Sequence, residues 1–345
     1  MEINFNEMQT KIDYGLIEKR KITFKKNTKA KPIFHYTSIG GLEGILTHKK
    51  LRFTNIKYMN DKDEIVAGLD SIAKSCNVSE DEREQLRSAF INHGTQNFVC
   101  CFSLEEDSLP MWNYYTKEVN NQGFNIAFDD KKLVESILRS NPCLDGCDLA
   151  FGIVDYSKED NSEYSKAITD EVLSSINLAV SKLFLTVAKG AMLNRSNTID
   201  KEAIEEWEEK LDAAENENKM RDLPIYFFDG STCSFDKNPL GNYLCFIKRD
   251  CFEPEREFRI VVSVPDDQLQ RLKDQGVYKF RISNGVIVPY LELSFSGEVI
   301  KSVTISPTIK SDLVELSIQD FATYCNLPVK DYSTFIKKSK IPVRF

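Results

Sequence analysis

Three groups of side chains in this sequence have the types and spacing to do chemistry. The first is the run Phe252-Glu253-Pro254-Glu255-Arg256-Glu257-Phe258-Arg259. Read as an extended segment, it puts Glu255, Glu257 and Arg259 on one face, because side chains two apart point the same way. Two carboxylates held like this orient a ribose hydroxyl and stabilise an oxocarbenium-like transition state, while the guanidinium restrains one carboxylate or binds a phosphate. An edge-strand salt bridge would leave the same pattern. The second group is Phe34-His35-Tyr36-Thr37-Ser38, an apolar run that delivers an imidazole and hydroxyls to its end, followed by Arg52 and by the polar stretch Asn60-Asp61-Lys62-Asp63-Glu64. A buried His beside a hydroxyl donor suits a ribose or a phosphate. The third is Met111-Trp112-Asn113-Tyr114-Tyr115. Trp112 and Tyr115 share a helix face and offer either a wall for a planar ring or a seal for the core.

Elements must position these groups. The spacing of Phe5, Met8, Ile12 and Leu16 predicts a helix over residues 4–18, ahead of a basic connector. Ile33 to Tyr36 reads as a strand, with a helix starting at Ser38 and running through Leu42, Ile45 and Leu46. Helices are expected over 62–74 and 79–92, and a strand at Phe98–Phe102. Pro110 opens a short helix from Met111 to Lys117, and Gly123–Phe128 alternates as a strand. A strand over 148–156 precedes a long acidic helical insertion at 164–222. Strands follow at 243–247, 258–264, 277–282, 286–290 and 300–305. This order predicts an α+β fold with a largely antiparallel or split sheet. The expected organisation is an N-terminal helix and connector at 1–31, a main domain at 32–310 and a C-terminal extension at 311–345.

Composition narrows the function classes. The net charge of −8 belongs to an acidic body, yet Lys19, Arg20, Lys21, Lys25, Lys26, Lys29 and Lys31 cluster with no acid between them. Such a body disfavours non-specific nucleic-acid binding over its whole surface, and a basic arm guides a phosphate-rich ligand to one edge. The nine cysteines have no repeated pair spacing and read as reduced thiols, which with the acidic start and the lack of a long apolar run makes a cytoplasmic protein with no membrane role the expectation. Three histidines without paired ligands argue against a metal site. No Gly-x-Ser-x-Gly turn, dinucleotide fingerprint or phosphate loop is present.

The ordered pieces His-Tyr-Thr, Leu-Arg-Phe-Thr, Met-Asn-Asp, Cys-Phe-Ser, Trp-x-x-Tyr, Gly-Phe-x-Ile-x-Phe and Glu-x-Glu-x-Arg resemble the domain-of-unknown-function family 2971 over roughly residues 33–307. That family in turn resembles the ADP-ribosyltransferase fold, which implies a split antiparallel sheet with flanking helices. The resemblance implies NAD as substrate. His35 with Thr37 would bind the ribose, Tyr36 and Asn60 would belong to the NAD site, Trp112 or Tyr115 would pack on nicotinamide, and Arg52 and Arg259 would hold the pyrophosphate. Glu257, with Glu255, would be catalytic. It also implies a mono-ADP-ribosyltransferase acting on RNA, DNA or protein, the toxin of a toxin-antitoxin or anti-phage system with an antitoxin partner. A nucleotide-sensing or partner-binding module and a metal-independent nuclease are the alternatives.

Overall fold

The computed structural model describes residues 12–16, 32–59, 95–116, 122–154, 156, 205, 208–213, 245–246, 248–283 and 285–342. The chain divides into two compact units. One comprises 1–8, 63–95 and 157–244, in which residues 208–213 are helical. The other comprises 9–62, 96–156 and 245–345 and carries the first and third groups above and the Phe34–Ser38 and Arg52 parts of the second. The expected helices over 62–74 and 79–92, and nearly all of the insertion at 164–222, lie outside the described residues.

The strands are β1 (Ile12–Leu16), β2 (Pro32–Ser38), β3 (Lys50–Asn55), β4 (Thr95–Ser103), β5 (Gly123–Asp129), β6 (Asp148–Ile153), β7 (Glu257–Pro265), β8 (Tyr278–Ser283), β9 (Val286–Ser294), β10 (Ile300–Ile305) and β11 (Ile336–Lys338). The helices are α1 (Ile39–His48), α2 (Leu109–Tyr115), α3 (Asp130–Ser140), α4 (Asp266–Asp274), α5 (Val314–Tyr324) and α6 (Tyr332–Phe335). Hydrogen-bonded neighbours follow the order β1, β6, β7, β4, β2, β5, β10, β11. From β4 a branch leads through β3 to β9 and β8. The sheet therefore splits along one strand. β4 pairs with β3 at Val99 and Phe98, and with β2 only at Ser103, opposite Phe34. The β1–β6, β6–β7, β2–β4, β2–β5, β5–β10, β3–β4, β3–β9 and β8–β9 pairs are antiparallel, and β11 runs parallel to β10. This is an α+β architecture with a mixed, mostly antiparallel open sheet.

Local chemistry explains most boundaries. Ser38 caps α1 by accepting the Gly41 N–H at 3.2 Å, and Asp129 caps α3 through the Lys132 N–H at 3.2 Å, each satisfying a donor that the first helical turn leaves without a partner. Pro110 stands in the first turn of α2, where its missing N–H costs nothing. Two expectations fail. Residues 12–16 form β1, paired antiparallel with β6 from Ile12 opposite Gly152 to Leu16 opposite Asp148, instead of a helix. Ile12 is β-branched and Gly15 is a poor helix former, so the ladder offered by β6 outweighs the apolar spacing. Cys245 and Phe246, expected in a strand, sit in a turn.

One face of the sheet meets the main core, where Ile33, Phe102, Ile126, Phe128, Phe258 and Ile260 are buried together with α1 and α3. Fully burying side chains of this size stabilises by roughly 1.5–3 kcal/mol each. On the opposite face Phe34, Tyr36 and Ala127 pack with Met111 and Trp112 of α2. That second face carries the charged groups.

Candidate functional site

β7 opens with Glu257 and continues through Arg259. Their neighbours Phe258 and Ile260 face the main core, so alternation puts Glu257 and Arg259 on the face of Tyr36 and Trp112. The strand is preceded by a 3-10 turn, Asp250–Glu255, and Arg256 joins the two in the left-handed region at φ 44° and ψ 52°. Glu255 is therefore not in an extended segment with Glu257. Pro254 favours the turn, and the reversal at Arg256 swings the Glu255 carboxylate back towards that of Glu257. Left-handed backbone costs a non-glycine residue about 1 kcal/mol. Arg256→Gly is expected to be neutral or to stabilise by up to about 1 kcal/mol, and Arg256→Val to destabilise by about 1–2 kcal/mol. Urea midpoints of the two variants check this. A Gly variant less stable than the Val variant would refute it.

Lys248 ties the carboxylates together. Its Nζ lies 2.9 Å from Glu255 Oε2 and 3.1 Å from Glu257 Oε2, and 4.6 Å from the centre of the Phe252 ring. Arg259 grips Glu257 with Nε on Oε1 at 2.9 Å and Nη2 on Oε2 at 3.0 Å. Its Nη1 donates to the Cys245 carbonyl at 2.7 Å. Tyr115 donates its hydroxyl to Glu255 Oε2 at 3.0 Å. Below, the Glu257 N–H donates to the Tyr156 hydroxyl at 2.7 Å. Ser103 donates to the Glu255 carbonyl at 2.8 Å and accepts the Glu105 N–H. Glu255, Glu257, Lys248 and Arg259 are all buried, whereas Tyr115 is 41% exposed and forms part of the rim.

Burial pushes the Glu257 carboxyl up, yet the Arg259 and Lys248 cations beside it win and hold it at about 2. The Tyr115 hydroxyl is driven well above the usual phenol range, first by burial and then by Glu255. Burial and Glu257 do the same to the Cys101 thiol. Because the Glu257 value is depressed from 4.5, the stability it confers is complete above pH 4.5 and is lost as the pH falls towards 2. Full protonation removes on the order of 3 kcal/mol. Urea unfolding followed between about pH 6 and about pH 3 should show this decline, and Glu257→Gln should flatten it. Equal slopes for both proteins would exclude Glu257 as the cause.

The two carboxylates are not equivalent. Both oxygens of Glu257 are taken by cations. Glu255 uses Oε2 alone, and its Oε1 has no hydrogen-bond partner among the described residues. A carboxylate with one oxygen anchored and one open, at the foot of a partly exposed aromatic ring, is suited to meeting a cationic carbon.

The other expected site residues are distributed as follows. Tyr36 lies on the same face, edge-on to Trp112 with ring centres 4.7 Å apart, and its hydroxyl donates to the Glu105 carbonyl at 2.8 Å. Trp112 is 1% exposed with its indole N–H on Asp107 Oδ1 at 2.8 Å. It seals the core and leaves Tyr115 as the aromatic available to a ring. Arg52 is exposed on the face of β3 shared with Thr54, whose opposite number on β4 is Val99. Alternation links Val99 to Cys101 and so to the Glu257 face, and the Arg52 guanidinium stands 5.3 Å from the Tyr290 ring centre. His35 and Thr37 are not brought to Glu257. They project from the opposite face of β2, where His35 is 5.5 Å from the Phe102 ring and its Nδ1 lies 3.1 Å from the Cys101 carbonyl. Burial lowers the His35 value, which keeps the ring neutral near pH 7. Arg259 is fully buried and committed to Glu257, so it is closed to a pyrophosphate. Asn60 lies outside the described residues.

Sequence reasoning missed Lys248 and Tyr156. Lys248 ends the apolar run Tyr243–Ile247, and neither its type nor its spacing marks it as the bridge between Glu255 and Glu257.

The protein-family model described as "Protein of unknown function (DUF2971)" matches residues 111–260. The DUF2971 match runs from α2 into β7 and so includes Trp112, Tyr115, Lys248, Glu255, Glu257 and Arg259, while His35, Arg52 and Asn60 precede it. No curated protein and no solved structure matches the chain. No helix among the described residues is long and apolar enough to cross a membrane.

Proposed function

We propose that this protein is an NAD-dependent mono-ADP-ribosyltransferase that modifies a macromolecule, with Glu255 as the reacting carboxylate. The observation that carries this reading is the meeting of Tyr115 and Glu255, 140 residues apart in sequence, at 3.0 Å. An aromatic face and a late carboxylate are the two groups that cleavage of a nicotinamide–ribose bond requires. When that bond breaks, its electron pair leaves with neutral nicotinamide and the ribose C1′ becomes cationic. The open oxygen of Glu255 stabilises that cation, the acceptor attacks it, and the acceptor's proton passes to the carboxylate. Tyr115 supplies the surface for the departing ring. Glu257 and Arg259 act through Lys248, which fixes the Glu255 side chain. Arg52 replaces Arg259 as the guanidinium assigned to pyrophosphate, and His35 ties β2 to β4 without entering the chemical step.

The lysine-rich stretch at 19–31 favours a nucleic acid as acceptor over a protein, and the ordered motifs favour the toxin of a defence system, held in check by an antitoxin. A second reading, a nucleotide-binding module without turnover, is favoured by one observation: the network around Glu257 is fully paired. Incubating the chain with NAD labelled on the adenylate, together with cellular RNA, DNA and protein, separates them. Label in one macromolecular fraction with release of nicotinamide supports the transferase. NAD bound but intact supports the binding module. Neither binding nor release overturns both.

A further inference from the structure

The loop between β4 and α2 is held from three sides. Asp107 accepts the Trp112 indole N–H on Oδ1 at 2.8 Å and the Ser339 hydroxyl on the same oxygen at 2.6 Å. Its Oδ2 accepts the backbone N–H of Lys340 at 2.7 Å. Next to it, Glu106 pairs with Lys337 and its carbonyl accepts from Asn125 at 2.6 Å. The tail is fastened independently as well: β11 lies parallel to β10, the Ser339 N–H donates to the Ile305 carbonyl at 3.0 Å, and Ile341 packs on the cluster of Phe34, Tyr36 and Trp112. α2 has no side-chain cap of its own at Ser108, so its first turn is fixed from outside, by the Tyr36 hydroxyl on the Ser108 N–H at 3.0 Å and by Asp107 on Trp112. One turn later the same helix presents Tyr115 to Glu255.

We propose that Asp107 is a positioning residue, clamped by the C-terminal strap of residues 336–341, that sets α2 so that Tyr115 reaches Glu255. The chemical half of this inference rests on the transferase reading; the mechanical half does not. Neither half of the clamp suffices alone. Without the strap, Asp107 loses two of its three donors. Without Asp107, the strap keeps its β10 ladder but no longer holds the helix.

The test uses full-length protein carrying Trp207→Phe, so that Trp112 is the sole tryptophan. Asp107→Asn, Asp107→Ala, Ser339→Ala and a chain ending at Phe335 are compared by Trp112 emission, acrylamide quenching, urea midpoint, and kcat and KM for NAD. Asp107→Ala and the shortened chain are expected to move Trp112 emission to longer wavelength by the same amount, with no further change when combined. Turnover should fall about 10- to 100-fold at nearly constant KM, the penalty for displacing a catalytic side chain by an ångström or less. The milder Asp107→Asn and Ser339→Ala variants keep the fold and give smaller losses in kcat. Additive emission changes, or a shortened chain with unaltered emission and kcat, overturn the proposal. A lowered urea midpoint with kcat per folded molecule intact assigns Asp107 to stability alone and also overturns it. If the unaltered protein does not process NAD while the emission changes coincide, the strap stands and the transferase reading falls.

Discussion

If the protein transfers ADP-ribose as proposed, Glu255→Gln is expected to reduce that transfer by about 100- to 1,000-fold while the fold persists, the size expected when one preorganised charge aimed at a developing transition-state charge is removed. The amide oxygen of Gln still accepts from Tyr115 and Lys248, and Glu257 keeps both of its cations, so the stability cost stays below that of breaking the Glu257 pair. The effect falls on kcat, because the cation at C1′ exists only in the transition state. Glu255→Asp keeps the charge and withdraws it by one methylene, and should recover part of the loss. Single-turnover release of nicotinamide, measured beside a urea unfolding curve, checks both parts. A Gln variant with undiminished release would remove Glu255 from the chemistry.

Glu257→Gln behaves in the opposite way. It leaves the buried guanidinium of Arg259 and the ammonium of Lys248 facing a single carboxylate, and breaking a buried pair from one side costs about 3–5 kcal/mol. The mirror change, Arg259→Met, should cost a similar amount by leaving Glu257 with Lys248 alone. The double variant Glu257→Gln/Arg259→Met removes both ends together and should be less destabilised than the sum of the two by at least about 2 kcal/mol. Urea unfolding of the four proteins measures that coupling. Additive losses would mean that the bidentate contact contributes nothing of its own. The two glutamates thus separate by readout, Glu255 in rate and Glu257 in stability.

Much of the scaffold was legible because its signals are local. Ser38 before the α1 spacing, Pro110 in the first turn of α2 and the apolar runs of β2, β4, β5 and β7 each specify an element within a few residues. The aromatic and acidic groups were recognisable by type, and Tyr115 with Glu255 proved to be neighbours. What escaped depends on contacts between distant segments. The ladder from β6 turns residues 12–16 into a strand. The backbone at Arg256 makes Glu255 leave the row that alternation assigned to it, a reversal that arginine does not advertise as glycine would. The same alternation, applied to β2, separates His35 from Glu257 once the register Phe34 to Ser103 is known, and no spacing within residues 33–38 contains that register. Asp266 and Asp267 at the start of α4, and the Asp129 cap of α3, were readable signals of helices that the search for chemistry passed over.

The cluster formed by Glu255, Glu257, Lys248 and Arg259 contains two negative and two positive charges, all out of water. From outside, its field cancels within a short distance, so the diphosphate of an approaching dinucleotide is neither drawn in nor repelled by it. On the transferase reading, capture of NAD at this cluster therefore depends on contacts made at close range to its pyridinium ring and sugar, and dissolved ions have little to screen there. On the same reading, a long-range pull on the substrate comes from solvent-facing cations such as Arg52, and ionic strength is expected to tune the rate of encounter while leaving bond cleavage unchanged.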